Sequence, residues 1–141
     1  MLATCNTGVL AVVGDEGYPY AVPLNYAYEG NAFFFHCAKE GHKLDAIATH
    51  ACASFCVVAE DDVIPEKLTT RYASVIAFGR IHIVEDEADR RHALGLLASK
   101  YGPDDEQTCN GEIEKTLPHV CILRLDIEHM SGKQGLERMR R

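Results

Sequence analysis

Alternation of apolar and polar residues predicts two neighbouring strands at the start of the chain. The apolar run from Gly8 to Val13 has the length of a buried strand and ends in a Gly-Asp-Glu-Gly turn. The next run, Tyr18 to Tyr28, puts tyrosine, valine and leucine on one face and proline, alanine and asparagine on the other. This period of two predicts one long strand.

Two prolines restrict how that long strand can pair. Pro19 and Pro23 lack an N–H group, so the strand cannot be fully paired in the centre of a sheet. Either it is an edge strand, or its ladder opens near Pro23 and leaves backbone groups free for a ligand. The turn residues Glu29 to Asn31 then lead into an aromatic strand, Phe33 to His36, which completes a hairpin.

The remaining pattern predicts three helices, three strands, a long loop and a tail. In order, these are a helix at Lys43–His50, a strand at Ala51–Ala59, a polar loop at 60–71, a strand at Tyr72–Val84, a helix from Asp86 to about Tyr101, a helix at about 104–116, a strand at His119–Glu128 and a loosely held tail from Lys133. Antiparallel neighbours joined by short turns favour a mainly β fold with flanking helices, a six-stranded antiparallel barrel, in a single domain over residues 1–141.

The segment Val75 to Phe78 is apolar on both faces, which predicts that both sides of this strand are covered. One side would face the barrel core, and the other could face a second subunit.

Charge and composition narrow the class of protein. The net charge of −7 is spread along the chain, which argues against a nucleic-acid surface. No apolar run approaches the roughly 20 residues of a membrane span, and the first residues lack the features of a signal peptide. We therefore expect a cytoplasmic protein whose six cysteines are reduced thiols.

An isolated basic cluster is the first candidate site. Lys39 and Lys43 are the only Lys or Arg residues among the first 66 residues, which contain nine Asp or Glu. They flank Gly41 and His42 at a predicted helix start, an arrangement that favours a bound anion such as a phosphate. The alternative is a solvated surface loop. An apolar barrel wall beside a phosphate pocket would suit an aromatic cofactor with a phosphate tail.

Metal and covalent chemistry have weaker signals. Cys52 and Cys56 share a strand face but stand about 13 Å apart, too far to chelate one zinc ion. The other cysteines show no C-x-x-C spacing, and neither a G-x-S-x-G motif nor a P-loop is present. We expect core thiols and no metal site.

The segments GYPYAVPLNY and FHCAKEGHKLD, followed by RYASVIAFGRIHIVEDEADRR and IEHMSGK, resemble the pyridoxamine 5′-phosphate oxidase-like FMN-binding split barrels. Within that family, the resemblance is strongest to the nitroimidazole-resistance branch, and it covers roughly residues 3 to 133. The family usually has a helix before the first strand. Here the chain starts almost on that strand, so we expect that this helix is missing or that the true start lies upstream.

The resemblance implies a homodimer with FMN at the subunit interface. Pro23, Leu24 and Asn25 would lie along the isoalloxazine edge, and Phe35 and His36 would border the ring and the ribityl chain. The phosphate would be held by Lys39, Gly41, His42 and Lys43, while Tyr72 and Ser74 would approach from the partner subunit.

The implied activity is electron transfer from NADH or NADPH to a small acceptor such as a nitroaromatic compound. His36 is the candidate catalytic residue, as a hydrogen-bond partner of the substrate, although it could equally be structural. Two alternatives stay open: a non-catalytic flavin-binding or redox-sensing protein, and a split barrel that binds haem or a deazaflavin.

Overall fold

The computed structural model describes residues 1–139 and contains seven strands and four α-helices. The strands are β1 (Thr7–Val13), β2 (Pro19–Asn25), β3 (Ala27–Glu29), β4 (Ala32–Ala38), β5 (Cys52–Ile64), β6 (Thr69–Ile83) and β7 (Val120–Gln134). The helices are α1 (His42–Thr49), α2 (Glu87–Tyr101), α3 (Glu106–Thr116) and α4 (Leu136–Met139). None of these helices is long and apolar enough to span a membrane.

All strands belong to one antiparallel sheet in the order β2-β1-β5-β6-β7-β4-β3. The two outermost strands, β2 and β3, are consecutive in the chain and are separated only by Tyr26. The sheet therefore curves back towards itself without the hydrogen bonds that would close a barrel. A mainly β, antiparallel fold with flanking helices is confirmed, but the predicted number of six strands is wrong.

The extra strand arises because the predicted strand Tyr18–Tyr28 breaks at Tyr26. The N–H of Tyr26 donates to the Tyr101 hydroxyl (3.1 Å), and its carbonyl accepts from Lys100 Nζ (3.0 Å). The hydroxyl of Tyr101 also lies 2.9 Å from that carbonyl. Helix α2 therefore satisfies the backbone groups of Tyr26 that a neighbouring strand would otherwise bind.

Of the two alternatives for the proline-containing strand, the structure shows the edge strand. Strand β2 pairs on one side with β1, where Val9 faces Pro23, and ends the sheet on its other side. A proline at an edge removes no ladder hydrogen bond from the sheet interior.

The first half of β4, from Ala32 to Phe35, is buried on both faces, and this explains its unbroken aromatic run. Phe33 and Phe35 point into the barrel core, where both contact Phe55. Phe34 points the other way and packs with Leu94 and Leu97 of α2 in a second core. The barrel thus has an apolar interior, and α2 and α3 cover one of its outer faces.

Helix positions agree with the sequence-based prediction to within about two residues. Helix α1 buries Leu44 and Ile47 as expected. The Asp86 side chain caps α2 by accepting a hydrogen bond from the N–H of Asp89 (3.0 Å). A capping bond of this kind contributes about 1 kcal/mol.

The predicted polar loop at 60–71 is wrong, because β5 and β6 extend through it as a long hairpin. The pairing register of β5 with β6 shifts between Val58 and Glu60, and the ladder then continues to the pair Ile64 and Thr69. The charged residues that favoured a loop pair with each other across the hairpin, as Arg71 Nη1 and Asp62 Oδ2 do at 2.9 Å.

The prediction of a loosely held tail is also wrong as far as residue 139. Lys133 lies within β7, and α4 follows. Arg138 Nε contacts Glu60 Oε2 at 2.6 Å, and Lys67 Nζ contacts Glu137 Oε2 at 3.2 Å. The tail is therefore held against the β5–β6 hairpin. Residues 140 and 141 lie outside the described residues.

Candidate functional site

The basic cluster lies where β4 ends and α1 begins. Gly41 caps the helix with φ of 153°, a value that residues with a side chain rarely adopt. Its carbonyl accepts from the N–H groups of Leu44 and Asp45 at 3.1 and 3.3 Å. Because no side chain caps α1, its first N–H groups and the positive end of its dipole stay available to an anion.

His42, the first residue of α1, is positioned by the turn between β1 and β2. Its ring packs edge to face against Tyr20, with centroids 4.6 Å apart. Its Nδ1 lies 3.7 Å from Asp15 Oδ2, in a pair whose carboxylate is 87% exposed. The aromatic contact fixes the ring, whereas water screens most of the ionic attraction.

Lys39 and Lys43 form no ion pair within residues 1–139. Eight other Lys or Arg side chains in that range contact a carboxylate. An acidic chain therefore leaves two cations unneutralised beside an open helix N-terminus. The structure brings all four residues of the predicted phosphate cluster together in one loop and helix start.

The faces of β4 separate two residues that the resemblance placed together. The Phe35 side chain is fully buried in the barrel core, so only its backbone can face a ligand. His36 is exposed and points to the opposite side, the side of α2 and α3. On β2, Leu24 packs against the core, whereas Pro23 and Asn25 are exposed.

An open backbone edge lies between β2 and β4. The pairing of β3 with β4 ends at Phe34, so β4 from Phe35 to Ala38 has a ladder partner only in β7. The outer side of β2 has no strand partner either. Backbone N–H and C=O groups on these two edges can therefore bind the polar rim of a planar ligand.

Within residues 1–139, Tyr72 and Ser74 make no hydrogen bond to the basic cluster at the start of α1. Both are on β6 next to the register shift between Val58 and Glu60, where Ser74 faces Val58 and Lys133. Lys133 Nζ lies 5.9 Å from the Tyr72 ring centroid. Their predicted approach to the site from a partner subunit stays a prediction.

Two buried thiols face each other beside the lysines. Cys37 and Cys121 are directly opposite in the ladder of β4 and β7. Burial raises the pKa of the Cys37 thiol to about 11, and Cys121 adds to this rise while Lys43 opposes it. Burial also raises the pKa of the Cys121 thiol. Both thiols are therefore neutral at pH 7 and are poor nucleophiles. Within the described part of the chain, no three His, Cys, Asp or Glu residues come together as a metal site.

A cavity of about 250 Å³ lies on the other side of the open edge, between the barrel and the two helices. His36 and Asn25 line it from the barrel, while Tyr101, Cys109 and Glu112 are among the residues that line it from α2 and α3. Sequence reasoning missed the helix residues. Alternation along β4 does predict that His36 lies on the same face as Phe34. The residues next to them in sequence do not show which helices pack against that face.

The open antiparallel barrel with helices over one face defines the class of split-barrel proteins. Residues 1–134 match the family model described as pyridoxamine 5′-phosphate oxidase, and the chain belongs to that family. No curated protein matches the chain.

Solved structures show the same fold. A candidate 5-nitroimidazole antibiotic resistance protein from Bacteroides thetaiotaomicron is 20% identical (TM-score 0.77; 93% of this chain and 78% of that chain covered). The FAD and haem binding protein from Mycobacterium smegmatis is 26% identical (TM-score 0.76; 96% and 68% covered). A FAD-binding protein from Mesorhizobium loti is 23% identical (TM-score 0.67; 95% and 89% covered).

Proposed function

We propose that the protein is an FMN-dependent oxidoreductase that passes electrons from NADH or NADPH to a small acceptor, such as a nitroaromatic compound. One observation carries the cofactor part of this proposal. Within residues 1–139, Lys39 and Lys43 form no ion pair, and they lie beside the N-terminus of α1, which no side chain caps, in a chain of net charge −7. A phosphate is the biological anion that best satisfies two cations and free helix N–H groups together.

The residues present fit the parts of FMN. Lys39, Gly41, His42 and Lys43 would hold the phosphate. The open backbone edges at Pro23, Leu24 and Asn25 and at Phe35 and His36 would hold the polar rim of the ring system. When bound, the flavin supplies the hydride and electron chemistry, while the protein binds it, orients it and excludes water.

We also propose a homodimer, because the outer face of the sheet opposite the barrel core is mostly apolar across three strands. Two cross-strand rows form this face: Val9, Cys56 and Ile76, and Ala11, Ser54 and Phe78. Phe78 is 49% exposed and Val9 is 41% exposed in the single chain. A second copy would cover these side chains and could bring Tyr72 and Ser74 to the flavin, as the sequence resemblance implies.

The similar structures leave open which flavin is bound, since two of them are described as binding FAD and one of these also binds haem. The absorbance spectrum of the purified protein separates flavin from haem. Titration with FMN, FAD and riboflavin then tests the phosphate site. We expect FMN to bind more tightly than riboflavin, and equal affinities would contradict the phosphate assignment. A Soret band without flavin absorbance would favour the haem alternative.

Catalysis requires a separate test, because a flavin store or redox sensor would have the same binding residues. NADH and NADPH oxidation is measured with and without ferricyanide, which accepts electrons without needing a specific site. We expect oxidation by at least one nicotinamide that depends on bound flavin. A flavin-loaded protein that oxidises neither would be a non-catalytic flavin protein. A cytoplasmic location stays a prediction.

A further inference from the structure

The cavity between the barrel and α2–α3 has the size and lining of a small-molecule site. Its volume of about 250 Å³ is just below the roughly 300–1,000 Å³ of sites for drug-sized ligands, which indicates a compact ligand. The walls include Leu94, Leu97 and Ile113, so most of the ligand surface would meet apolar groups. A flat one-ring or two-ring aromatic molecule fits these conditions.

Two polar groups at the barrel side have hydrogen-bonding capacity left. The His36 imidazole makes no hydrogen bond within residues 1–139, although it lies at the edge of an apolar space. Asn25 Oδ1 accepts from the Thr7 hydroxyl at 3.1 Å, which leaves the amide NH₂ group of Asn25 as a donor. These two side chains can donate to an oxygen of the ligand.

The polar groups on the helix side are already engaged or negatively charged. The Tyr101 hydroxyl is bound to backbone groups of Tyr26, and the Cys109 thiol donates to the carbonyl of Pro103 at 2.9 Å. Glu112 lies at the helix side with a side chain that is 61% exposed, and Lys115, at 3.6 Å, offsets part of its charge. An anionic ligand would meet this carboxylate, so the cavity favours a neutral one.

We propose that this cavity binds a neutral, flat aromatic molecule through a nitro or carbonyl oxygen that accepts hydrogen bonds from His36 and Asn25. This inference rests on the proposed function, since such a molecule would be the electron acceptor. It goes further by assigning acceptor choice to α2 and α3 of the same subunit, with Glu112 selecting against anions.

The test uses two probes that differ in charge but share a nitrophenyl group, 4-nitrobenzyl alcohol and 4-nitrobenzoate. Calorimetry on the purified protein should show tighter binding of the alcohol. Glu112→Gln should reduce the preference for the alcohol over the benzoate by about threefold to fivefold, the effect of one exposed charge. His36→Ala should weaken binding of the alcohol by about fivefold. It should not unfold the protein, because His36 has no hydrogen-bond partner among the described residues.

A matched pair of variants on α2 locates the binding site. Ala98 lines the cavity, whereas Ala88 is exposed on the same helix. Ala98→Phe should weaken binding of the alcohol by about tenfold or more because it fills the space, and Ala88→Phe should not. Equal binding by these two variants would overturn the assignment, as would equal binding of the two probes to the wild type. Loss of FMN from Ala98→Phe would also overturn it, by showing that the cavity holds the flavin ring.

The calorimetric result is independent of turnover. Ferricyanide reduction by the wild-type protein reports on the proposed oxidoreductase function alone. A protein that binds the alcohol as described but reduces no ferricyanide keeps the cavity assignment and loses the proposed function. The opposite pattern keeps the function and rejects the cavity as the acceptor site.

Discussion

Replacing Lys43 with alanine is the most direct test of the phosphate site. Lys43 is half-buried at the first turn of α1, forms no ion pair within residues 1–139, and lies beside the uncapped N–H groups of that helix. A charge-assisted hydrogen bond to a phosphate contributes about 1.5 to 3 kcal/mol, which corresponds to roughly 10-fold to 150-fold in affinity. Lys43→Ala should weaken the binding of FMN by about this factor and leave the binding of riboflavin nearly unchanged.

The structure also predicts that this substitution costs little stability. Since Lys43 has no carboxylate partner in the described chain, its removal breaks no ion pair, and we expect a change within about 0.5 kcal/mol in the free energy of unfolding of the flavin-free protein. Flavin fluorescence during titration measures the dissociation constants, and urea denaturation measures the free energy of unfolding.

The control must be a lysine with no structural role. Lys100 is unsuitable because its Nζ donates to the carbonyl of Tyr26 and lies 3.5 Å from the centroid of the Tyr26 ring. Lys115 is suitable, since its side chain is 78% exposed and its one ion pair within residues 1–139 is with Glu112, at 3.6 Å. If Lys43→Ala and Lys115→Ala bind FMN equally, or if Lys43→Ala weakens riboflavin as much as FMN, the phosphate does not bind at this cluster.

Three further predictions address the proposed dimer, the strand break at Tyr26 and the buried thiols. If the proposed dimer forms, Phe78→Arg should convert it to a monomer or an aggregate and release flavin; a wild-type monomer by light scattering at micromolar concentration would refute the proposed interface. Tyr101→Phe should lower the free energy of unfolding by about 1–3 kcal/mol, because the Tyr26 N–H loses its acceptor inside the protein, whereas Tyr18→Phe, at a residue that is 72% exposed, should change it little. Raising the pH from 9 towards 11 should destabilise the wild type more than Cys37→Ala, because the thiol of the unfolded chain ionises from its ordinary pKa near 9.0 while the folded thiol stays neutral until about 11. Equal pH dependence of the two proteins, followed by circular dichroism, would contradict that assignment.

The sequence by itself determined those features that depend on neighbours along the chain. Period-two patterns located the strands, the Leu44 and Ile47 spacing located the inner face of α1, and Asp86 marked the start of α2. The basic cluster was also readable, because Lys39 to Lys43 are consecutive and a helix start is a local feature. Its interpretation as a flavin site rests on resemblance to a family; the family is confirmed, and the site stays a prediction.

Only the tertiary structure decided features that depend on residues far apart in the chain. The alternation through Tyr26 is unbroken in sequence, yet the strand breaks there because Tyr101 and Lys100 bind its backbone groups from α2. The charged residues of 60–71 read as a loop because their partners across the hairpin and on α4 cannot be seen locally.

The same limit applies to the site. Alternation along β4 places Phe35 and His36 on opposite faces, but it does not say which face meets the core and which meets the helices. That choice depends on how α2 and α3 pack over Phe34. The packing buries Phe35 in the barrel and leaves His36 at a cavity with Asn25, eleven positions earlier in the chain, and with helix residues more than fifty positions later. Such contacts form only when the whole apolar surface of the sheet is buried, so no window of sequence contains them.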